Sequence, residues 1–260
     1  MECISSSISI VIGFVDEDQE LFKSLESIHN QSSEFHKNIQ VIIMSKGVCS
    51  VPLRNYKPQY SIIEIVPPQK GIYNGLNYIS SLLSENSLIW FLGAGDCILE
   101  GGKVITAVIS DKEFSMHAFT ILLLDQNYSK IKYVKPQYSP LYGKICNTLP
   151  HQGLIIRNKL LKQYPYMAKC NVYADFQFSL FLSIDKNICA LHHEIVSSSF
   201  RMGGISTKAS FACRLSESTL IRRKLLRKRS YIVFTFLHAI LLLSLFIYNT
   251  IKYIIKKLAL

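Results

Sequence analysis

Short β-branched runs alternate with helical periods along most of this chain, and that alternation leaves few architectures open. Residues 8–15 (ISIVIGFV), 39–44 (IQVIIM), 61–66 (SIIEIV), 88–92 (LIWFL) and 119–124 (FTILLL) have the length and composition of buried strands. Between the first two, Leu21, Phe22, Leu25 and Ile28 recur at helical spacing, with Asp18 placed to cap. Between the third and fourth, Ile72, Tyr73, Leu76, Ile79, Leu82 and Leu83 do the same. The pattern predicts an α/β fold with a mostly parallel central sheet and helices on its faces. Ligands of such sheets bind outside the carboxyl ends of the strands, which directs attention to the loops at 13–18, 44–50, 66–74 and 92–100.

At 260 residues, 49% hydrophobic and 18% charged, the chain can bury one sizeable core and carry an appendage. Its seven cysteines show neither CxxC nor a Cys/His spacing suited to zinc, which points to a reducing compartment and scattered thiols. No basic residue precedes the apolar run Ile8–Val15, and Asp16, Glu17 and Asp18 follow it, so a cleaved secretory signal is not expected. The net charge of +11 divides unevenly: residues 1–213 hold 19 Lys/Arg against 17 Asp/Glu, and residues 214–260 hold 10 against 1. The first segment is therefore nearly neutral, which argues against nucleic acid as a partner. The basic run Arg222, Arg223, Lys224, Arg227, Lys228, Arg229 stands directly before 18 mostly apolar residues, Tyr231 to Tyr248, and Lys252, Lys256 and Lys257 follow. The expected organisation is a folded domain at 1–213 and a basic, apolar, helical segment at 214–260 that meets an anionic membrane surface. Eighteen residues are the lower edge of what crosses a hydrocarbon core of roughly 30 Å, so a single span, an interfacial helix and a buried helix pair all stay open.

No glycine-rich phosphate cradle follows the first strand, since Gly13 is alone and no GK[ST] occurs. Dinucleotide hydride transfer and P-loop hydrolysis lose most of their support. The turn Gly93, Ala94, Gly95, Asp96 carries one carboxylate out of an apolar strand, a placement that suits a divalent cation against a diphosphate or a simple solvated turn. Asp175 precedes the apolar run Phe176–Leu182, where an aspartate serves as a helix N-cap or as a general base. His151 and Gln152 follow Pro150 at a loop end, and Arg201 precedes the glycine pair Gly203 and Gly204.

The segments ISIVIGFV, LESIHNQ, PPQKGIYNGLNYI, WFLGAGDCI, the pair His151 and Gln152, YADFQFSL and FRMGGIS occur in this order over about residues 6–206. This series resembles the family 2 glycosyltransferases, in particular those that build bacterial exopolysaccharide, O-antigen and capsule. The resemblance implies a GT-A fold, a nucleotide-sugar donor, a divalent metal (Mn2+ or Mg2+), and sugar transfer to a lipid-linked or growing cell-surface glycan. It also implies work at the cytoplasmic face of the bacterial inner membrane, with the tail peripheral or spanning once. By position, Asp96 matches the metal-binding acid and Asp175 the base of inverting members. Gly13, Phe14, Lys70, Gly71, Tyr73, Asn74, Asn77 and Gly95 fall on donor-binding positions, and His151, Gln152 and Arg201 on the acceptor side of the cleft. The chain departs from the pattern where Met44, Gly95 and Asn74 stand in place of acids. Those departures carry a second reading, a membrane-bound binding subunit with impaired chemistry.

Overall fold

The computed structural model describes residues 8–13, 18–45, 58–111, 113–137 and 139–258. Its strands are β1 (Ile8–Gly13), β2 (Ile39–Met44), β3 (Ser61–Ile65), β4 (Leu88–Gly93), β5 (Cys97–Ile98), β6 (Met116–Leu124), β7 (Lys130–Val134), β8 (Leu154–Arg157) and β9 (Ala190–Arg201). They join in one sheet in the order β3-β2-β1-β4-β8-β6-β9-β5, with β7 paired to β6. β1 to β4 are mutually parallel. β8 runs antiparallel to both β4 and β6, so β6, and β9 parallel to it, point the same way as β4. Six of these nine strands therefore deliver their carboxyl ends to one edge, and the sheet is mostly parallel as the sequence pattern predicts.

The helices are α1 (Asp18–His29), α2 (Ser33–Lys37), α3 (Ile72–Leu82), α4 (Gly101–Ser110), α5 (Tyr142–Ile145), α6 (Asn158–Gln163), α7 (Phe176–Ile184), α8 (Ile205–Lys208), α9 (Phe211–Leu225) and α10 (Lys228–Leu258). β1 and β2 are buried at every position because helices cover both faces of the sheet. Alternation within β1 sorts its side chains between the two cores. Ile10 and Ile12 pack with Leu21, Leu25 and Ile28 of α1 and with Val104 and Val108 of α4. Val11 faces Leu76 and Ile79 of α3 together with Phe176 and Phe178 of α7.

Two expectations about the C-terminal part change. A boundary after residue 213 falls inside α9, whose Glu217, Ser218, Ile221 and Arg222 are buried. Arg222 is not part of an exposed basic collar: its Nε donates to the Lys144 carbonyl at 2.8 Å, and an Nη donates to the Ile145 carbonyl. Its guanidinium lies 4.8 Å from the centroid of the Phe176 ring. The last carbonyls of α5, which have no partner within their own helix, explain why a cation is drawn in here. The packed unit thus extends through α9.

Candidate active site

The shared strand edge opens onto a cleft of about 640 Å³ lined by residues from β1, β4, β6, β7, β9, α1, α3 and the loops before β8 and α7. At the end of β4 the chain turns tightly: the Asp96 N–H donates to the Gly93 carbonyl at 3.0 Å, and the Gly93 N–H donates to Asp96 Oδ2 at 2.8 Å. Helix α1 bolts this turn in place. Ser24 Oγ donates to the Asp96 carbonyl at 2.7 Å and accepts from the Gly95 N–H at 2.9 Å. Gly95 has φ +92°, and a Cβ there would stand 2.5 Å from Glu20 Oε2. A side chain at 95 therefore meets both backbone strain and an occupied space.

Glu20, which sequence reading passed over, is the residue occupying that space. Its carboxylate lies 3.2 Å from the Arg201 guanidinium and 3.4 Å from Lys23 Nζ, and it accepts a short hydrogen bond from the Tyr128 hydroxyl. Arg201 also sends its backbone N–H to Asp96 Oδ1 at 3.3 Å. Glu20, Asp96 and Arg201 all line the cleft, and Arg201 is the only Lys or Arg among its described lining residues. Burial pushes the Asp96 carboxyl up to about 7, against the opposing pull of the Gly93 and Arg201 N–H groups.

Asp175 lies in the same cleft, at the start of α7. It is the N-cap residue of that helix but makes no side-chain cap hydrogen bond to it. Instead Oδ2 accepts from Asn147 Nδ2 at 2.7 Å, and Oδ1 lies 3.5 Å from the Tyr73 hydroxyl. Burial raises its carboxyl to about 7, with the Asn147 hydrogen bond opposing. The loop that delivers Asp175 is gripped from α9: the Glu217 carboxylate accepts the backbone N–H groups of Asn171, Val172 and Tyr173 at 2.7, 3.0 and 2.8 Å.

Aromatic residues of the core back one side of the cleft. His151 stacks on Phe91 with centroids 5.4 Å apart, and its Nε2 is 2.8 Å from the Tyr166 hydroxyl, whose ring lies 5.2 Å from that of Tyr73. Burial lowers His151 to about 4, so its imidazole is neutral at physiological pH. Gln152 lines the cleft beside it, while its carbonyl accepts from Trp90 Nε1 at 2.7 Å and from Ser198 Oγ at 2.8 Å.

The structure thus gathers Gly13, Tyr73, Asp96, His151, Gln152, Asp175 and Arg201 around one cavity. Lys70, Gly71, Asn74 and Asn77 do not line it. Asn74 donates to the Lys70 carbonyl at 2.7 Å at the start of α3, and Asn77 exchanges hydrogen bonds with the Tyr166 backbone at 2.9 and 2.8 Å. Phe14 lies outside the described residues. Met44 is buried core, its sulfur seated where a Cβ on Gly75 would have to go.

A divalent ion at a diphosphate site is held by one or two carboxylates, with substrate phosphates and water completing its oxygen shell. Here both Asp96 oxygens already accept backbone N–H groups, Gly95 adds no side chain, and Glu20 is paired with Arg201, Lys23 and Tyr128. Among the described residues no three His, Cys, Asp or Glu gather as ligands. The metal expected from the resemblance would therefore have Asp96 as its one carboxylate in this turn.

No family model and no curated protein sequence matches the chain. Solved structures do. S. aureus TarS residues 1–349 in complex with UDP-GlcNAc superimposes with a TM-score of 0.61 at 12% identity, covering 88% of this chain and 70% of that one. The mannosyltransferase PcManGT from Pyrobaculum calidifontis, in complex with GDP-Man and Mn2+, gives 0.60 at 10% identity, covering 89% and 68%. At these identities the likeness establishes the fold, which is that of the GT-A-type glycosyltransferases.

Proposed function

We propose that the protein is an inverting glycosyltransferase that moves a sugar from a nucleotide-sugar to a lipid-linked or growing cell-surface glycan. The observation that carries this reading is the placement of Asp175. It is a carboxylate with no salt bridge among the described residues, held by Asn147 and Tyr73 in a cleft whose fold hosts UDP-GlcNAc in TarS and GDP-Man in PcManGT. In the reaction the acceptor hydroxyl oxygen attacks the anomeric carbon and the bond from that carbon to the diphosphate breaks. The hydroxyl proton passes to the Asp175 carboxylate, and the nucleoside diphosphate leaves. A carboxyl poised near 7 both takes that proton and releases it afterwards. Arg201, braced by Glu20, is the cation that faces the charge growing on the diphosphate.

The tail belongs to the same reading: α10 holds the domain at the cytoplasmic face of the bacterial inner membrane, where a lipid-linked acceptor lies. The family 2 assignment and the residue roles rest on the resemblance of residues 6–206 and on this cleft.

A second reading, a binding subunit without transfer chemistry, draws support from the closed Asp96 turn and from the non-acidic residues Met44, Asn74 and Gly95. One experiment separates the two. Purified full chain is offered UDP- and GDP-sugars with extracted lipid-linked glycan, and donor binding and product are measured in Mn2+ and in chelator. Transfer supports the enzyme. Glycan binding without turnover of any donor supports the subunit, and binding of neither nucleotide nor glycan defeats both.

A further inference from the structure

Helix α10 contains an 18-residue apolar window, Lys228–Leu245, long enough on composition alone to cross a bilayer. Its packing tells against that use. His238, about 15 Å along the helix from Lys228 at 1.5 Å per residue, sits near the middle of the window. It is 1% exposed, its Nδ1 lies 3.0 Å from Ser218 Oγ of α9, and its ring stacks on Tyr173 at 6.0 Å. On the same side, Lys144 Nζ of α5 lies 5.7 Å from the Phe234 ring centroid. α10 is therefore fastened to the domain one turn apart, at Phe234 and at the buried His238.

The opposite side is apolar and bare. Ile232, Val233, Phe236, Ile240 and Leu243 recur at helical spacing and are each between 49% and 66% exposed. Beside the start of this stripe Arg223, Lys224, Arg227, Lys228 and Arg229 are exposed at the α9–α10 junction.

We infer that α10 lies in the plane of an anionic lipid surface, with this stripe sunk into the boundary between headgroups and acyl chains, and does not cross the bilayer. A crossing orientation places His238 near the hydrocarbon centre. Because His238 is bonded to α9, that orientation drags Ser218, its charged neighbours Glu217 and Arg222, and Lys144 of α5 to the same depth. In the plane, the domain stays in water, the five exposed cations meet anionic headgroups, and only the stripe leaves solvent. Charge complementarity selects the lipid surface as the occupant over a second copy of the chain, whose identical basic junction would repel it.

The inference rests on the membrane attachment in the proposed function and is independent of the sugar chemistry. The test uses the full chain with an epitope tag after residue 260. An in-plane helix predicts recovery with inner membranes, release by alkaline carbonate, and flotation with vesicles containing phosphatidylglycerol but not with pure phosphatidylcholine. It also predicts that the tag survives external protease in intact spheroplasts and is cut in inverted vesicles. The double substitution Phe236→Glu and Ile240→Glu lies on the exposed face, so it should keep the melting temperature while abolishing flotation. Membrane recovery with a tag cut in intact spheroplasts, resistant to carbonate, overturns the in-plane geometry and leaves attachment standing. A chain that stays soluble and dimeric, with no lipid binding, overturns both.

Discussion

Asp175→Asn separates chemistry from architecture because the two respond in opposite directions. The structure accommodates the amide: Asn147 Nδ2 can still donate to the side-chain oxygen at 175, and the new NH2 faces the Tyr73 hydroxyl oxygen about where Oδ1 now lies 3.5 Å away. What disappears is a carboxylate that burial makes costly to ionise. Moving a carboxyl from 3.8 to about 7 corresponds to about 4 kcal/mol. Because the side chain opens onto the cleft, solvent screening leaves roughly half of that, about 2 kcal/mol. The sign follows from linkage. The folded state binds this proton more tightly than the unfolded state, so the wild type is relatively most stable below about pH 4 and loses stability as pH rises through about 7. At pH 8 the variant should therefore melt higher than wild type, by about 4–8 °C for a chain of this size, and at pH 4 the two should coincide. Transfer should fall by roughly 100-fold or more, the usual scale of general-base assistance. The wild-type kcat/KM should climb with pH through about 7, and that limb should be missing from the residual activity of the variant. Calorimetric melting and a radiolabelled transfer assay across pH 4–9 decide it. A folded variant with undiminished transfer refutes the role of Asp175 as base, and a lower melting temperature at pH 8 refutes the account of its burial.

Glu217→Ala removes the acceptor of three consecutive N–H groups and should destabilise the fold by about 3 kcal/mol in urea unfolding, whereas Glu217→Gln keeps one oxygen and should lose less. Because the loop it grips carries Asp175, kcat should fall in Glu217→Gln even where the protein stays folded, with donor affinity by calorimetry unchanged. Gly95→Ala puts a methyl at φ +92° within 2.5 Å of Glu20 Oε2; about 2 kcal/mol of stability should be lost, and nucleotide affinity should weaken as the Glu20–Arg201 pair is displaced. Unchanged nucleotide binding in Gly95→Ala would show that the Glu20–Arg201 pair does not shape the donor site.

Local pattern alone determined the layered α/β core: β1, β2 and β4 are continuous β-branched or aromatic runs, α1 and α3 carry unbroken helical periods, and all five surfaced where composition placed them. The acid turn at 93–96 and Asp175 were also legible, as small residues and a single carboxylate at element ends. β9 was not. Its ALHHEIVSSSFR is polar at many positions and becomes a strand by pairing with β6 and β5 rather than by its own preference. Tertiary structure alone decided that Glu20 fills the space beside Gly95, that Asn147 holds Asp175, that Glu217 grips the loop before it, and that Arg222 leaves the basic collar for the core. Each of these joins residues at least 28 positions apart. Periodicity within a window reports which face of one element is apolar; which two distant side chains meet depends on how whole elements stack and in what register, and that is set by the packed core as a unit.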